Sequence, residues 1–495
     1  MKNKIYKSGV LLHPTALPGD WGIGELGDHA YKFIDDLVEM GQSYWQILPL
    51  GPLDNSHSPY SSLSTFAGNP LIISFDSLIK IKLLKANEIP DFENLNKSRI
   101  SFDETIVKRM RVFEIVCSNF NERANERLKK EFTIFCEENI DWLEDYSKFC
   151  ALKKANKNLS WNYWDPTIKA NDRYIQYEKI LQFLFFMQWN DLKSYCNAKG
   201  IEIIGDMPIY VSYDSVDVWA NPELFQLDQK GNKIAEAGCP PCAFHHKGQV
   251  WGNPLYDWEA HKKSKFNWWL CRFKKLFDMV DIIRLDHFIG FLRYWKLPAN
   301  STSADNGYWV KVPGDSLFDA LLKHFKSPRI IAEDLGDIND EVINLREKYS
   351  FPGMKVIQFE SINSIESTEL YNYNSVTYTG THDNNTTKGW LDEMNNEKKK
   401  YLEKKVCSVE ADMNWSLIDR AMHSGSQITI VPIQDILGLD KGSRFNVPGT
   451  LSKLNWSWRL KENQLQEPVK EKYKRLTNKS GRLARPSLEK IKTTF

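Results

Sequence analysis

Short apolar runs closed by a carboxylate recur through the second half of this chain: Asp281-Ile-Ile-Arg-Leu-Asp286, Arg329-Ile-Ile-Ala-Glu333 and Val376-Thr-Tyr-Thr-Gly-Thr-His-Asp383. Runs this short and this rich in Ile and Val read as buried strands of a parallel sheet, which needs helices over its outer face. Segments with helical spacing supply them: residues 28–40, stopped by Gly41, then 177–198, stopped by Gly200, then 316–326, 340–349 and 414–423. Strands beginning near residues 8, 44, 201, 281, 329, 355, 376 and 427 number eight. Eight is the count of an α/β fold of the (β/α)8 TIM barrel type. An open doubly wound sheet is the competitor, but no glycine-rich phosphate loop follows the first strand.

Two stretches depart from the alternation. Residues 83–156 are long, charged and amphipathic, and read as a helical insertion. Residues 207–280 open with a Trp, Pro and Gly-rich passage as far as Trp258, too long for an ordinary connection and placed to lie over a site. Residues 1–495 therefore read as a single catalytic domain carrying these two insertions.

Composition narrows the partners. A formal net charge of +1 with 26% charged residues offers no field for nucleic acid or a membrane surface. The basic start runs into His13, Pro14 and Pro18 rather than a signal peptide, and no apolar run approaches the roughly 20 residues that span a bilayer, so a cytoplasmic protein is expected. Eight cysteines without a framework spacing read as reduced thiols. Cys239-Pro-Pro-Cys242 with His245 and His246 is half of a zinc pattern, yet no second ligand pair has matching spacing, and two prolines favour an extended loop over a redox helix. Neither a metal nor an organic cofactor is expected. The 17 Trp, 20 Tyr and 26 Phe suit stacking against sugar rings, although a large core accounts for most of them.

The three strand-end carboxylates carry the chemistry. Cleaving a sugar acetal needs one acid to protonate the leaving oxygen and one carboxylate to meet an oxocarbenium-like carbon. Asp286, Glu333 and Asp383 supply these with one to spare. Taken singly, such residues usually cap a helix or solvate a loop. Together with Arg284, His287, Asp334, His382 and Asn384 they fit a pocket at the strand ends of a barrel better than a packing layer.

Several blocks in order resemble the 4-alpha-glucanotransferases of the amylomaltase or disproportionating type, relatives of the alpha-amylase barrels. They include Ser8-Gly-Val-Leu-Leu-His-Pro-Thr-Ala-Leu-Pro-Gly19, Ser58-Pro-Tyr60, Phe66-Ala-Gly-Asn-Pro70, Ile204-Gly-Asp-Met-Pro-Ile-Tyr-Val211, Gly248-Gln-Val-Trp-Gly-Asn-Pro-Leu-Tyr256, Arg284-Leu-Asp-His-Phe288, Ala332-Glu-Asp-Leu-Gly336 and Gly380-Thr-His-Asp-Asn384. The resemblance implies a retaining enzyme that moves an alpha-1,4-glucan segment from a malto-oligosaccharide donor to an acceptor glucan or glucose. It makes Asp286 the nucleophile, Glu333 the acid and then base, and Asp383 the carboxylate that holds sugar hydroxyls. His287 and His382 would bind hydroxyls, with Tyr60, Asp206, Trp251, Asn253 and Asn384 as further pocket residues. From its spacing, Arg284 lies on the same strand face as Asp286 and is expected to pair with it. Glu333 needs a raised pKa to start as an acid.

The chain departs from that family at Pro240-Pro-Cys-Ala-Phe-His-His246, where Pro-Pro-Asp and an aromatic pair are usual, and at Ser56-His57, Ile289 and Val312. These positions bear on acceptor preference and on the ratio of transfer to hydrolysis. A hydrolase of alpha-glucans on the same barrel, or a glycan-binding protein with little turnover, stays open at this point.

Overall fold

The Ile and Val runs do form strands. In the computed structural model, which describes residues 4–241, 247–406 and 412–484, these are β1 (Lys7–Leu11), β2 (Tyr44–Gln46), β3 (Glu202–Met207), β4 (Ala235–Cys239), β5 (Gln249–Pro254), β6 (Ile282–Leu285), β7 (Arg293–Pro298), β8 (Tyr308–Lys311), β9 (Ile330–Ala332), β10 (Gly353–Val356), β11 (Ser375–Tyr378) and β12 (Ile428–Pro432). Eight of them pair in parallel in the order β10-β11-β12-β1-β2-β3-β6-β9. Gly9 of β1 faces Ile430 of β12 on one side and Tyr44 of β2 on the other. The sheet thus wraps into a barrel, and all eight expected strands are in it.

The last join differs from the others. Among the described residues no ladder connects β9 to β10; instead the Ala332 N–H donates to the Pro352 carbonyl at 2.8 Å. The Met354 N–H donates to Asp334 Oδ1 at 2.7 Å, and Arg346 holds Asp334 Oδ2 at 2.9 Å. A Cβ at Gly353 would lie 1.9 Å from Arg346 Nη1 and 2.5 Å from Asp334 Oδ2, so a side chain there would displace the Arg346–Asp334 pair.

Side chains fill the barrel rather than line a pore, as expected for this architecture. Ile204, Ile282, Ile331, Val376 and Ile430 are buried, and Tyr378 donates from β11 to Gln46 Oε1 of β2 at 2.9 Å. Outside, Asp28–Glu39 turns Phe33, Ile34 and Leu37 inward and ends before Gly41, whose φ of 71° suits glycine. At the lower rim Arg482 is buried and donates to the carbonyls of Lys7, Ser424 and Ser426 at 3.0, 2.7 and 2.9 Å. That seals the ends of β1 and β12 with a segment from the far end of the chain.

Between β2 and β3, the helices Phe102–Arg123, Glu126–Glu138 and Ile140–Ala155 pack against the long helix Asp172–Ala198. Their anchor is Arg109, buried and paired with Glu25 at 2.7 Å, with its guanidinium 4.0 Å from the Phe75 ring centroid. A second, antiparallel sheet of order β5-β4-β7-β8 draws two strands from 207–280 and two from residues after β6.

The sequence reading missed that sheet, because β7 and β8 carry Arg, Tyr, Trp and Lys rather than Ile and Val. It also passed over the helix Asn267–Met279, which packs on β3 and β6 within the 207–280 stretch. The strand expected over 355–359 stops at Val356, and Ile357–Phe359 forms a tight helical turn. Cys242, His245 and His246 lie outside the described residues, as does most of the altered loop. Among the described residues no helix is long and apolar enough to cross a membrane.

Candidate active site

Strand register brings the first charges together. Asp206 of β3 lies opposite Arg284 of β6 in the parallel ladder. Both are buried, and Arg284 Nη1 reaches Asp206 Oδ1 and Oδ2 at 2.8 and 2.7 Å. The same nitrogen holds Asp286 Oδ1 at 2.9 Å, the pairing expected from their spacing. Burial alone would depress the pKa of Arg284, but the charges of Asp206 and Asp286 outweigh it and raise it well above the ordinary value. Asp206 is raised, chiefly by burial, against the pull of Arg284.

Past β6 the chain turns sharply. His287 has a φ of 52°, a left-handed conformation unusual for a histidine. The turn aims its N–H at Glu333 Oε2, 2.7 Å away, while the Phe288 N–H donates to the Glu333 carbonyl at 3.0 Å. Glu333 follows β9, and its own N–H donates to the Leu285 carbonyl at 2.9 Å. The residues flanking Asp286 on both sides are therefore bonded to Glu333. Burial first, and the charge of Asp286 second, push Glu333 up to about 8, against the charge of Arg284 and the N–H groups of His287 and Leu335. The expected raised pKa is thus present, with a neighbouring carboxylate as one of its causes.

Asp383 approaches from β11 through the turn 379–382. Its side chain keeps 45% of its surface open. Burial tends to raise its pKa, but the charge and hydrogen bond of His382, the amide of Asn446 and the charge of Arg284 bring it down to about 2. Asn446 Nδ2 donates to Asp383 Oδ1 at 2.6 Å, and His382 Nε2 lies 3.4 Å from Oδ2. Tyr60 closes the circle: its hydroxyl donates to Asp206 Oδ2 at 2.7 Å and its ring stacks on His382 with centroids 5.0 Å apart. Trp251 meets His287 edge-on at 4.9 Å. Burial lowers His287 to about 4, so its ring is neutral at physiological pH and offers both a donor and an acceptor.

Nine of the eleven expected residues thus form one continuous network. The other two turn their side chains to the backbone: Asn253 Nδ2 donates to the Val211 carbonyl at 2.8 Å, and Asn384 Oδ1 accepts from Thr381 N–H and Oγ1 at 2.9 Å each. Two open hollows flank the network, one beside Tyr60 and Asp206 and one beside His382 and Arg444. Sequence reasoning missed Asn446, Arg444 and His13. The first two come from a loop more than sixty positions away, with no periodic signal. His13, in contrast, sat in plain view after the first strand; burial and the nearby charge of His382 lower it to about 3.

With this geometry in place, comparison with known proteins is direct. A family model described as 4-alpha-glucanotransferase matches residues 12–465. The 4-alpha-glucanotransferase of Synechocystis sp. is 42% identical over 93% of this chain and 95% of its own length. That of Clostridium butyricum is 40% identical over 95% of this chain and 100% of its own. The solved amylomaltase from Streptococcus agalactiae, in complex with acarbose, superposes with a TM-score of 0.91 at 37% identity, covering 96% of this chain and 99% of that one. Matched over nearly all of its length at this level, with its strand-end acids gathered at one mouth of the barrel, the chain belongs to the 4-alpha-glucanotransferase (amylomaltase) family.

Proposed function

We propose that this 4-alpha-glucanotransferase works by retaining double displacement. It moves an alpha-1,4-glucan segment from a malto-oligosaccharide or starch-like donor to the 4-hydroxyl of an acceptor glucan or glucose. In the first step an oxygen of Asp286 bonds to the anomeric carbon as the bond to the leaving 4-oxygen breaks, and that oxygen takes the proton of Glu333. In the second, the acceptor hydroxyl returns a proton to Glu333 as its oxygen displaces Asp286. The charge balance of the site supports the assignment. Arg284 occupies Asp286 Oδ1 and leaves Oδ2 for attack, while Glu333, pushed up to about 8, holds its proton at neutral pH. Asp383, kept ionised and 45% exposed, presents its carboxylate to sugar hydroxyls.

Tyr60, Asp206, Trp251, His287 and His382 are read as the walls that hold the reacting glucosyl unit. Asn253 and Asn384 shape those walls through the backbone. The acarbose held by the Streptococcus agalactiae relative supports an oligosaccharide as ligand. The observation that carries the reading is Glu333 bonded to the residue next to Asp286 and raised by burial and by the Asp286 charge. The test is product analysis on maltotriose. Transfer yields chains longer than maltotriose together with glucose or maltose, and Asp286→Asn should abolish turnover with an unchanged circular-dichroism spectrum. Maltose and glucose alone would point to a hydrolase, and an active Asp286→Asn would reject the nucleophile.

A further inference from the structure

We infer that Arg444 is a positioning residue for the reaction: it clamps the loop after β12 onto Asp383, fixing that carboxylate and its amide partner Asn446 in working register. The inference rests on the role proposed above for Asp383. Residues 444–446 run beside 382–383. The Asn446 N–H donates to the His382 carbonyl at 3.1 Å, and Asn446 Nδ2 donates to Asp383 Oδ1 at 2.6 Å. Arg444 ties the two segments together: its Nη2 donates to the Asp383 carbonyl and its Nε to the Asn446 carbonyl, both at 2.6 Å. Both side-chain bonds of this arginine end on residues of the site.

A guanidinium is planar, with its N–H groups in a fixed fork, so two such bonds set both a spacing and an angle between the carbonyls they join. A lysine ammonium carries the same charge but lacks that fork. With the clamp in place, Asp383 Oδ1 is taken by Asn446 while Oδ2 faces His382 Nε2 at 3.4 Å, in a side chain that stays 45% exposed. The other limb of the same loop brings Trp456 against Tyr60 and His382, at 5.8 and 5.9 Å between centroids, and the Trp456 N–H donates to the Phe445 carbonyl at 2.7 Å. One loop therefore registers both the carboxylate and the aromatic wall, and Arg444 is the side chain that pins it.

The test compares Arg444→Ala, Arg444→Gln and Arg444→Lys with Asn446→Ala and Asp383→Asn in the full chain on maltotriose. A displacement of about 1 Å at Asp383 costs on the order of 100-fold in rate. Arg444→Ala should lose about that factor in kcat with KM little changed, and its acid limb should move to higher pH as Asp383 loses the amide that helps keep it ionised. Arg444→Lys should fall between the alanine variant and the wild type. Millimolar guanidinium ion should restore part of the activity of Arg444→Ala and none of that of Asn446→Ala. Wild-type kcat with an unmoved acid limb in Arg444→Ala or Arg444→Gln would overturn the clamp. So would a loss that follows melting temperature alone and is not relieved by guanidinium. If the alanine variant fails to fold, wild-type kcat in Arg444→Lys overturns it. An inactive Asp383→Asn beside a fully active Arg444→Gln rejects the clamp alone, whereas an active Asp383→Asn rejects the role of Asp383 itself.

Discussion

In the proposed mechanism Glu333 sets the alkaline side of the working range. Its acid form is the one that donates, so kcat should fall as pH rises through about 8, and Glu333→Gln should lose roughly 10² to 10⁴ in rate. Folding carries the same sign. A carboxyl raised in the folded state from 4.5 to about 8 contributes stability below its ordinary value, and that contribution is lost as pH climbs toward 8. Urea melts at about pH 5 and about pH 9 should show the wild type losing stability at the higher pH and Glu333→Gln losing less. Asp286, Glu333 and Asp383 were legible because each ends an apolar run, and Arg284 because its two-residue offset fixes its face. Arg444 and Asn446 were not, since their partner is reached only through the folded return of a loop. Asn253 and Asn384 mark the opposite limit: a motif says that a position matters, and only coordinates say whether its amide faces a ligand or the chain.

Among elements, the strands rich in Ile and Val were readable, with starts within two residues of those expected. The amphipathic helices of the segment before β3 were readable as helices, but not what holds them. That anchor is the Arg109–Glu25 pair, with side chains 0% and 8% exposed. Burial raises Glu25 to about 7 even with Arg109 beside it. Removing the arginine strands a buried carboxyl, so Arg109→Met should cost about 3 to 5 kcal/mol in urea unfolding. The double variant Glu25→Gln with Arg109→Met should recover much of that loss, and equal destabilisation in single and double variants would show that packing, not charge, secures these helices. The antiparallel sheet was illegible for a related reason: β7 and β8 mix Trp and Tyr with Arg and Lys, a pattern that alternation and apolarity both miss.

For the whole molecule, eight strand signals sufficed to anticipate a cylinder, but nothing in them said where its circumference is weakest. Among the described residues seven pairs of neighbours are laced by ladders, while β9 meets β10 through the Ala332 hydrogen bond to Pro352, just ahead of β10, and the side chain of Asp334. Opening should begin there. Amides of residues 330–334 and 353–356 should exchange with deuterium sooner than those of β1 and β12, and Asp334→Ala should widen the difference. Uniform protection around the circumference would refute this. Because Glu333 sits on the lip of that unlaced joint, the residue proposed to carry the proton rides on a stave of the cask with room to give. The side chain that, in the proposed cycle, surrenders and receives a proton is thus mounted where the hoop has the fewest backbone ties.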